Sequence, residues 1–323
     1  MNRIQAFALA GFLAFPLAAQ AQPAPGDLNM HWSEGAADCK AHPQPPLQVH
    51  RYNATTYILR ENLCSTFEAP FMYLLIGQTR ALLIDTGDVG DPKAMPLAKT
   101  VMGLLPRGLP LLVVHTHRHM DHRAGDPQFA RLPNARVVGY DIASVKRFYN
   151  FAQWPEGLAH LDLGGRVVDV FPTPGHNETE VSFYDRNTGL FFSGDFLMPG
   201  RLLIDDARAD IASAHRAVAF LKDKPVSAVL GGHIEMNAHG GLEPWESRYH
   251  PDERALPMTK VDLLALPAAL ESFNGFYSES GGFTMINPLR ILKAFGLGVL
   301  IVIVGGLWLL VRFVRRRRRR AAA

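Results

Sequence analysis

Between His115 and His122 the chain reads His-Thr-His-Arg-His-Met-Asp-His, and its last six residues place His117, His119, Asp121 and His122 in an H-x-H-x-D-H pattern. Four such side chains in six residues are hard to explain as packing, because imidazoles and carboxylates cost free energy to bury unless something pairs with them. The run just before, Leu111-Leu112-Val113-Val114, is short and apolar and reads as a buried strand. The pattern therefore falls on the loop and helix start beyond a strand's carboxyl end, where α/β folds keep their chemistry. Imidazole nitrogens with one carboxylate suit zinc, and three protein ligands per ion leave room for an activated water.

Thirteen histidines in 323 residues can bunch once by chance. Three further segments repeat the arrangement. Thr173-Pro174-Gly175-His176 follows the strand-like Val167-Val168-Asp169-Val170-Phe171, the apolar Leu190-Phe191-Phe192-Ser193-Gly194 closes on Asp195, and Ala228-Val229-Leu230-Gly231-Gly232 ends on His233. Each is a strand followed by a small-residue turn that presents one ligand-type side chain. Loops on one edge of a sheet converge on a metal pair in this way.

This series resembles the metallo-β-lactamase fold superfamily of metal-dependent hydrolases, over roughly residues 47–264. The resemblance implies an α/β fold, an αββα sandwich of two similar halves. It implies two zinc ions, or other divalent metals, with His117, His119 and His176 on the first and Asp121, His122 and His233 on the second. Asp195 takes the place of the bridging carboxylate. Asp85, in Ala81-Leu82-Leu83-Ile84-Asp85-Thr86-Gly87, matches a motif whose aspartate buttresses the site from behind. The implied chemistry is attack by a metal-bridging hydroxide on an ester, thioester, lactone or related acyl bond of a small molecule, with Asp121 and Asp195 as the catalytic carboxylates and Asp121 orienting the nucleophile.

Departures from the family pattern narrow this reading. No cysteine follows Cys64, which disfavours the subclass with a cysteine ligand at the Asp195 position. Asp195 likewise disfavours a serine-bearing subclass. What remains resembles a hydroxyacylglutathione hydrolase or lactonase site. After His176, however, Asn177-Glu178-Thr179-Glu180 replaces the threonine and small residue of many members, which leaves the substrate open. Two other readings stay open: an iron site with persulfide dioxygenase-like redox chemistry, and a non-catalytic metal-binding membrane protein. Strand alternation turns His115 away from the His117 loop, so it reads as a packing or supporting residue, and Glu235, His239 and Tyr249 read as a solvated loop.

The two ends differ in kind from the middle. Residues 1–21 carry Arg3, an apolar run and Ala19-Gln20-Ala21, a signal-peptide pattern. Residues 294–311 are free of charge and long enough to cross a bilayer as a helix, and the span is placed at 294–314. The arginines 315–320 follow at once, which makes 315–323 a cytoplasmic tail by the positive-inside rule and puts the catalytic domain outside the cytoplasm, in the periplasm of a Gram-negative cell. Between the ends lie a proline-rich linker (22–46), the catalytic domain (47–270) and a Gly- and Ser-rich juxtamembrane connection (271–293). Setting aside Arg3 and the nine cations after residue 287, which have no acidic neighbours, turns the net charge of +3 into −7 for the remainder. An acidic domain is a poor match for a phosphate backbone, so no nucleic-acid partner is expected. Cys39 and Cys64 both precede the motifs, and an oxidising compartment permits their pairing. Helices are expected near 94–105, 142–151 and 207–221, the last started by Asp205 or Asp206.

Overall fold

A computed structural model describes residues 22–321, so the signal-peptide assignment to residues 1–21 lies outside the described residues. The first sheet contains six strands in chain order: β1 (Leu47–Asn53), β2 (Thr56–Glu61), β3 (Phe71–Ile76), β4 (Ala81–Ile84), β5 (Leu111–Val114) and β6 (Ala135–Val137). β1 to β4 are antiparallel. The helix α1 (Leu97–Leu104) then crosses over to bring β5 parallel to β4, and the short α2 (Asp126–Phe129) leads to β6, parallel to β5.

After α3 (Ile142–Tyr149), the strands β7 (Ala159–Asp162), β8 (Val167–Pro172), β9 (Val181–Asp185) and β10 (Leu190–Gly194) form a second antiparallel meander. β11 (Arg201–Leu203) and α4 (Ala207–Leu221) follow, and β12 (Ala228–Gly231) pairs parallel with β10. Each half is thus four antiparallel strands, a helical crossover, and a fifth strand parallel to the fourth. No residue period in the sequence betrays this repeat, because topology is kept by strand length and burial rather than by residue identity.

The central strands β3, β4, β5, β10 and β12 are nearly continuous apolar runs because both faces of each sheet are covered there. On β3, Tyr73 and Leu75 point into the space between the sheets and meet Val168, Phe183 and Phe192 of the second sheet, the Tyr73 and Phe192 rings standing 4.6 Å apart. Met72 and Leu74 point the other way, against Leu97, Val101 and Phe129 of α1 and α2. The outer face of the second sheet carries Phe171, Phe191 and Val229 against α4 and against α5 (Lys260–Glu271). The result is an α/β sandwich with layers αββα. Arg166 fastens the two sheets at one end: it is buried, pairs with Asp185 at 2.6 Å, and donates to Thr55 O, Ile76 O and Thr56 Oγ1 of the first sheet.

Both segments expected to be connections are folded. Residues 22–46 lie along the domain: Trp32 enters the core beside Phe71, Gly35 bridges to Tyr249, and Cys39 and Cys64 form a disulfide with Cα atoms 5.4 Å apart. Within 271–293, β13 (Tyr277–Ser280) and β14 (Phe283–Ile286) form a hairpin that adds to β11, and α6 (Pro288–Ala321) begins two residues later. Short strands with mixed exposure carry little periodic signal, and a disulfide-held strap carries none. The arginines 315–320 continue α6 as helix rather than forming a separate tail.

Candidate metal centre

The site lies where strand ends from both halves meet. Beyond β5, the chain bends through Thr116 to Arg118, and His119, extended, leads into a 3-10 turn (Met120–His122). Beyond β8 comes His176, beyond β10 Asp195, and beyond β12 His233. Gly232 makes the last approach possible, since a Cβ there would collide with Asp195 Oδ1 and His122 Cε1.

Two groups of donor atoms result. His119 Nδ1 lies 2.9 Å from His117 Nε2 and 3.1 Å from His176 Nε2. In the second group His122 Nε2 and His233 Nε2 are 3.2 Å apart, and Asp121 Oδ2 is 3.3 Å from each. The Asp195 carboxylate stands between them. Its Oδ1 faces His122 and His233 at 3.5 and 3.6 Å, and its Oδ2 faces His176 at 3.5 Å and His117 at 4.0 Å. All seven side chains singled out from the sequence are brought together, His117, His119 and His176 in one group and Asp121, His122, His233 and Asp195 in the other.

Hydrogen bonds behind the site settle which nitrogens face inward. His176 Nδ1 donates to Leu203 O at 3.0 Å and His233 Nδ1 to Glu68 O at 2.6 Å. A carbonyl can only accept, so in the neutral rings both Nε2 atoms carry a lone pair toward the site. Asp85 does the same for His122, whose Nδ1 donates to Asp85 Oδ2 at 2.9 Å, while the same carboxylate accepts from Thr116 N and Thr116 Oγ1. Asp85 holds this post with φ at +66°, a left-handed conformation that aspartate tolerates better than most residues. It supports the site and contributes no atom to either group.

The electrostatics describe a site short of positive charge. Burial opposes protonation of His122, yet the carboxylates of Asp195, Asp121 and Asp85 outweigh it and lift its pKa well above the imidazole range. Against the same burial, Asp195 and Asp121 push His233 up to about 10. Burial also works against ionising Asp121 and Asp195, but His122 and His233 hold both well below the carboxylate range. Burial and the neighbouring rings lower His117 and His119. Without a metal, protons on His122 and His233 must balance two buried carboxylates. Asp195 Oδ1 is nonetheless left without a hydrogen-bond partner. Converging lone pairs, unsatisfied buried oxygen and net negative demand are the fit for divalent cations.

Glu180 has a larger part than the sequence indicated. It is fully buried, and its Oε1 accepts from both Asp195 N at 3.1 Å and Phe196 N at 2.8 Å, which fixes the turn that presents Asp195. Burial, with Asp195 and Asp210 nearby, raises its pKa well above the usual range. The available signal was an acid directly before an apolar strand, noted only as a departure from the family pattern.

His115 packs behind the site, with Nε2 2.8 Å from Asp126 Oδ1. Glu235, expected on a solvated loop, instead lines a cleft of about 160 Å³ over the site, together with Glu68, Met198, Arg201, Leu203 and Trp245. Its Oε2 accepts the Arg201 N–H at 2.9 Å, and the Arg201 guanidinium stacks on the Trp245 ring at 4.4 Å. His239 and Tyr249 are outside this cleft and exposed.

The chain is similar to several known proteins. A hydroxyacylglutathione hydrolase of Rhodobacter capsulatus is 31% identical over 176 residues, covering 51% of this chain and 66% of that protein. An acyl-coenzyme A thioesterase MBLAC2 of Gallus gallus is 26% identical over 205 residues, covering 51% of this chain and 72% of the relative. The chain thus spans just under two thirds of the length of the first and somewhat more of the second. Among solved structures, a metallo-beta-lactamase from Pontibacter korlensis aligns with a TM-score of 0.48 at 18% identity, over 70% of this chain and 100% of that one. Residues 65–233, more than half of the chain, match the Metallo-beta-lactamase superfamily, and the chain belongs to that family.

Proposed function

We propose that the protein is a membrane-anchored hydrolase that uses a pair of zinc ions to cleave an ester, thioester, lactone or related acyl bond. The observation that carries this reading is the Asp195 carboxylate, with one oxygen turned to each donor group. A bound ion pair supplies Lewis acidity, which brings water ionisation near neutral pH and polarises a carbonyl. His117, His119 and His176 would hold one ion, Asp121, His122 and His233 the other, and Asp195 both. The protein's own work is positioning. Asp85, Leu203 O and Glu68 O fix three imidazoles in place, and Glu180 fixes the Asp195 turn. Asp121, less buried than Asp195, lines the cleft and is placed to orient the attacking water. Met198, Leu203 and the exposed ring of Trp245 give the acyl group an apolar wall. Two relatives bear the names of hydrolases of acyl compounds, which supports the same reaction class here.

A panel of esters, thioesters and lactones offered to the zinc-loaded full chain tests this. At least one is expected to turn over in a chelator-sensitive way, and failure on all three classes with metal bound would contradict the proposal.

The anchor is α6, the helix among the described residues that is long and apolar enough to cross a membrane. At 34 residues it is about 50 Å long, and none of its residues is buried against the domain. With six consecutive arginines on the cytoplasmic side, the catalytic domain faces the opposite compartment. Protease added to spheroplasts is expected to remove the domain and leave the arginine end protected. Complete protection of the domain would reverse the orientation.

A further inference from the structure

The membrane helix is joined to the wall of the cleft without a flexible connection. β14 pairs in parallel register with β11, Arg201 opposite Thr284 and Leu203 opposite Ile286. Arg201 and Leu203 line the cleft, and Leu203 O is the acceptor that orients His176. Beyond Ile286 only Asn287 intervenes before α6. Asn287 is buried and fully engaged: its N–H donates to Phe276 O at 2.9 Å, its Oδ1 accepts from Arg290 N at 2.8 Å, and its Nδ2 reaches Asp205 O at 3.4 Å. Proline at the first helical position is pre-set for the turn into the helix. The site and the anchor therefore share one rigid piece.

The distances are short. Neighbouring strands lie about 4.8 Å apart, and the uncharged stretch starting at residue 294 begins six residues into α6, about 9 Å along its axis. Adding the His176 to Leu203 O contact of 3.0 Å and two extended residues, the His176 ring stands roughly 25 Å of path from the apolar boundary. The surface in between has the make-up of a bilayer interface. Phe276 and Tyr277 are exposed beside the helix start, as are Leu289 and Leu292, and Arg290 and Lys293 supply the cations. Aromatic rings and basic residues concentrate at that depth.

We infer that the substrate is a membrane-partitioned acyl compound, an amphiphile whose chain rests in the leaflet next to the domain and whose ester or thioester head meets the cleft. This rests on the membrane-anchored hydrolase reading above. A rigid mount at fixed height turns the encounter into a two-dimensional one at high effective concentration, an advantage lost when the height is not fixed. Water adds its oxygen to the acyl carbon and the carbon–sulfur or carbon–oxygen bond breaks. One water proton ends on the leaving thiol or alcohol, and the other on the carboxylic acid, which then ionises.

The test uses the full chain, zinc-loaded, in phosphatidylcholine–phosphatidylglycerol vesicles, with the butyryl and palmitoyl thioesters of N-acetylcysteamine. These share a leaving group and differ in partitioning. A variant carries a flexible twelve-residue Gly-Ser insertion between Asn287 and Pro288, which adds a slack of about 20 Å. Palmitoyl hydrolysis is expected to fall at least tenfold in the variant, while butyryl hydrolysis stays within twofold and reports an intact domain. Equal change in both rates, no change in either, or a parent that hydrolyses only the butyryl compound overturns this inference and leaves the hydrolase reading standing. A parent inactive on both overturns the thioesterase form of that reading and this inference with it.

Discussion

Asp195→Asn is expected to lower turnover at least 100-fold in a protein that remains folded. Both oxygens of this carboxylate are in use, Oδ1 toward His122 and His233 and Oδ2 toward His176 and His117. An amide can offer an acceptor to only one group, and whichever way it turns, an N–H donor faces the other. The substitution also removes the buried negative charge that would pair with the two proposed cations. Displacements near 1 Å at a reacting centre cost about 100-fold in rate. The backbone around it is held by Glu180 through Asp195 N and Phe196 N, so the turn itself survives the change. Rates on whichever acyl compound turns over, measured beside metal content, check this. Parental rates with both ions retained would rule out a bridging role.

Arg166→Ala is expected to destabilise the fold by about 3–5 kcal/mol, the usual cost of removing one partner from a buried ion pair. Asp185 is fully buried, and among the described residues Arg166 is the cation that pairs with it. Three acceptors, Thr55 O, Ile76 O and Thr56 Oγ1, each lose the Arg166 donor at the same time. Denaturant unfolding of the parent and variant gives the number. An Arg166→Met, Asp185→Leu double variant should recover part of the loss by removing both charges. A single-variant change below about 1 kcal/mol would mean that water or a neighbour replaces the pair. The loss is expected in stability rather than at the metal centre, since Arg166 contacts none of the seven donors.

The contrast between these two residues shows what the sequence could convey. The seven donors were legible because four crowd into six residues after an apolar run, while His176, Asp195 and His233 each follow a strand on a turn of small residues, both local patterns. Helix α4 was legible to the residue, Ala207–Leu221, because Asp206 caps it by accepting from Arg208 N and Ala209 N. Arg166 was silent, since its partners in the first sheet lie 90 and 110 positions away. The role of Glu180 was obscure for a similar reason, since its two N–H donors lie 15 and 16 residues on and only its place before an apolar strand marked it. Helix α5 escaped notice because Pro267 and an almost unbroken apolar run obscure both its period and its start, although Thr259 and Asp262 form a capping box. The strap of residues 22–46 owes its order to the disulfide and to pairing with residues near Tyr249, neither of which leaves a local signal.

Metal content tests the central claim most directly. Elemental analysis of the full chain purified under metal-replete conditions is expected to give about two ions per chain. His233→Ala should lose the ion of its own group selectively, and His119→Ala the other. Asp85, which orients His122 and holds Thr116 without joining either donor group, should be replaceable by asparagine with weaker binding but the same stoichiometry. One ion per parental chain, or loss of both ions from either histidine variant, would contradict a pair of ions shared across Asp195.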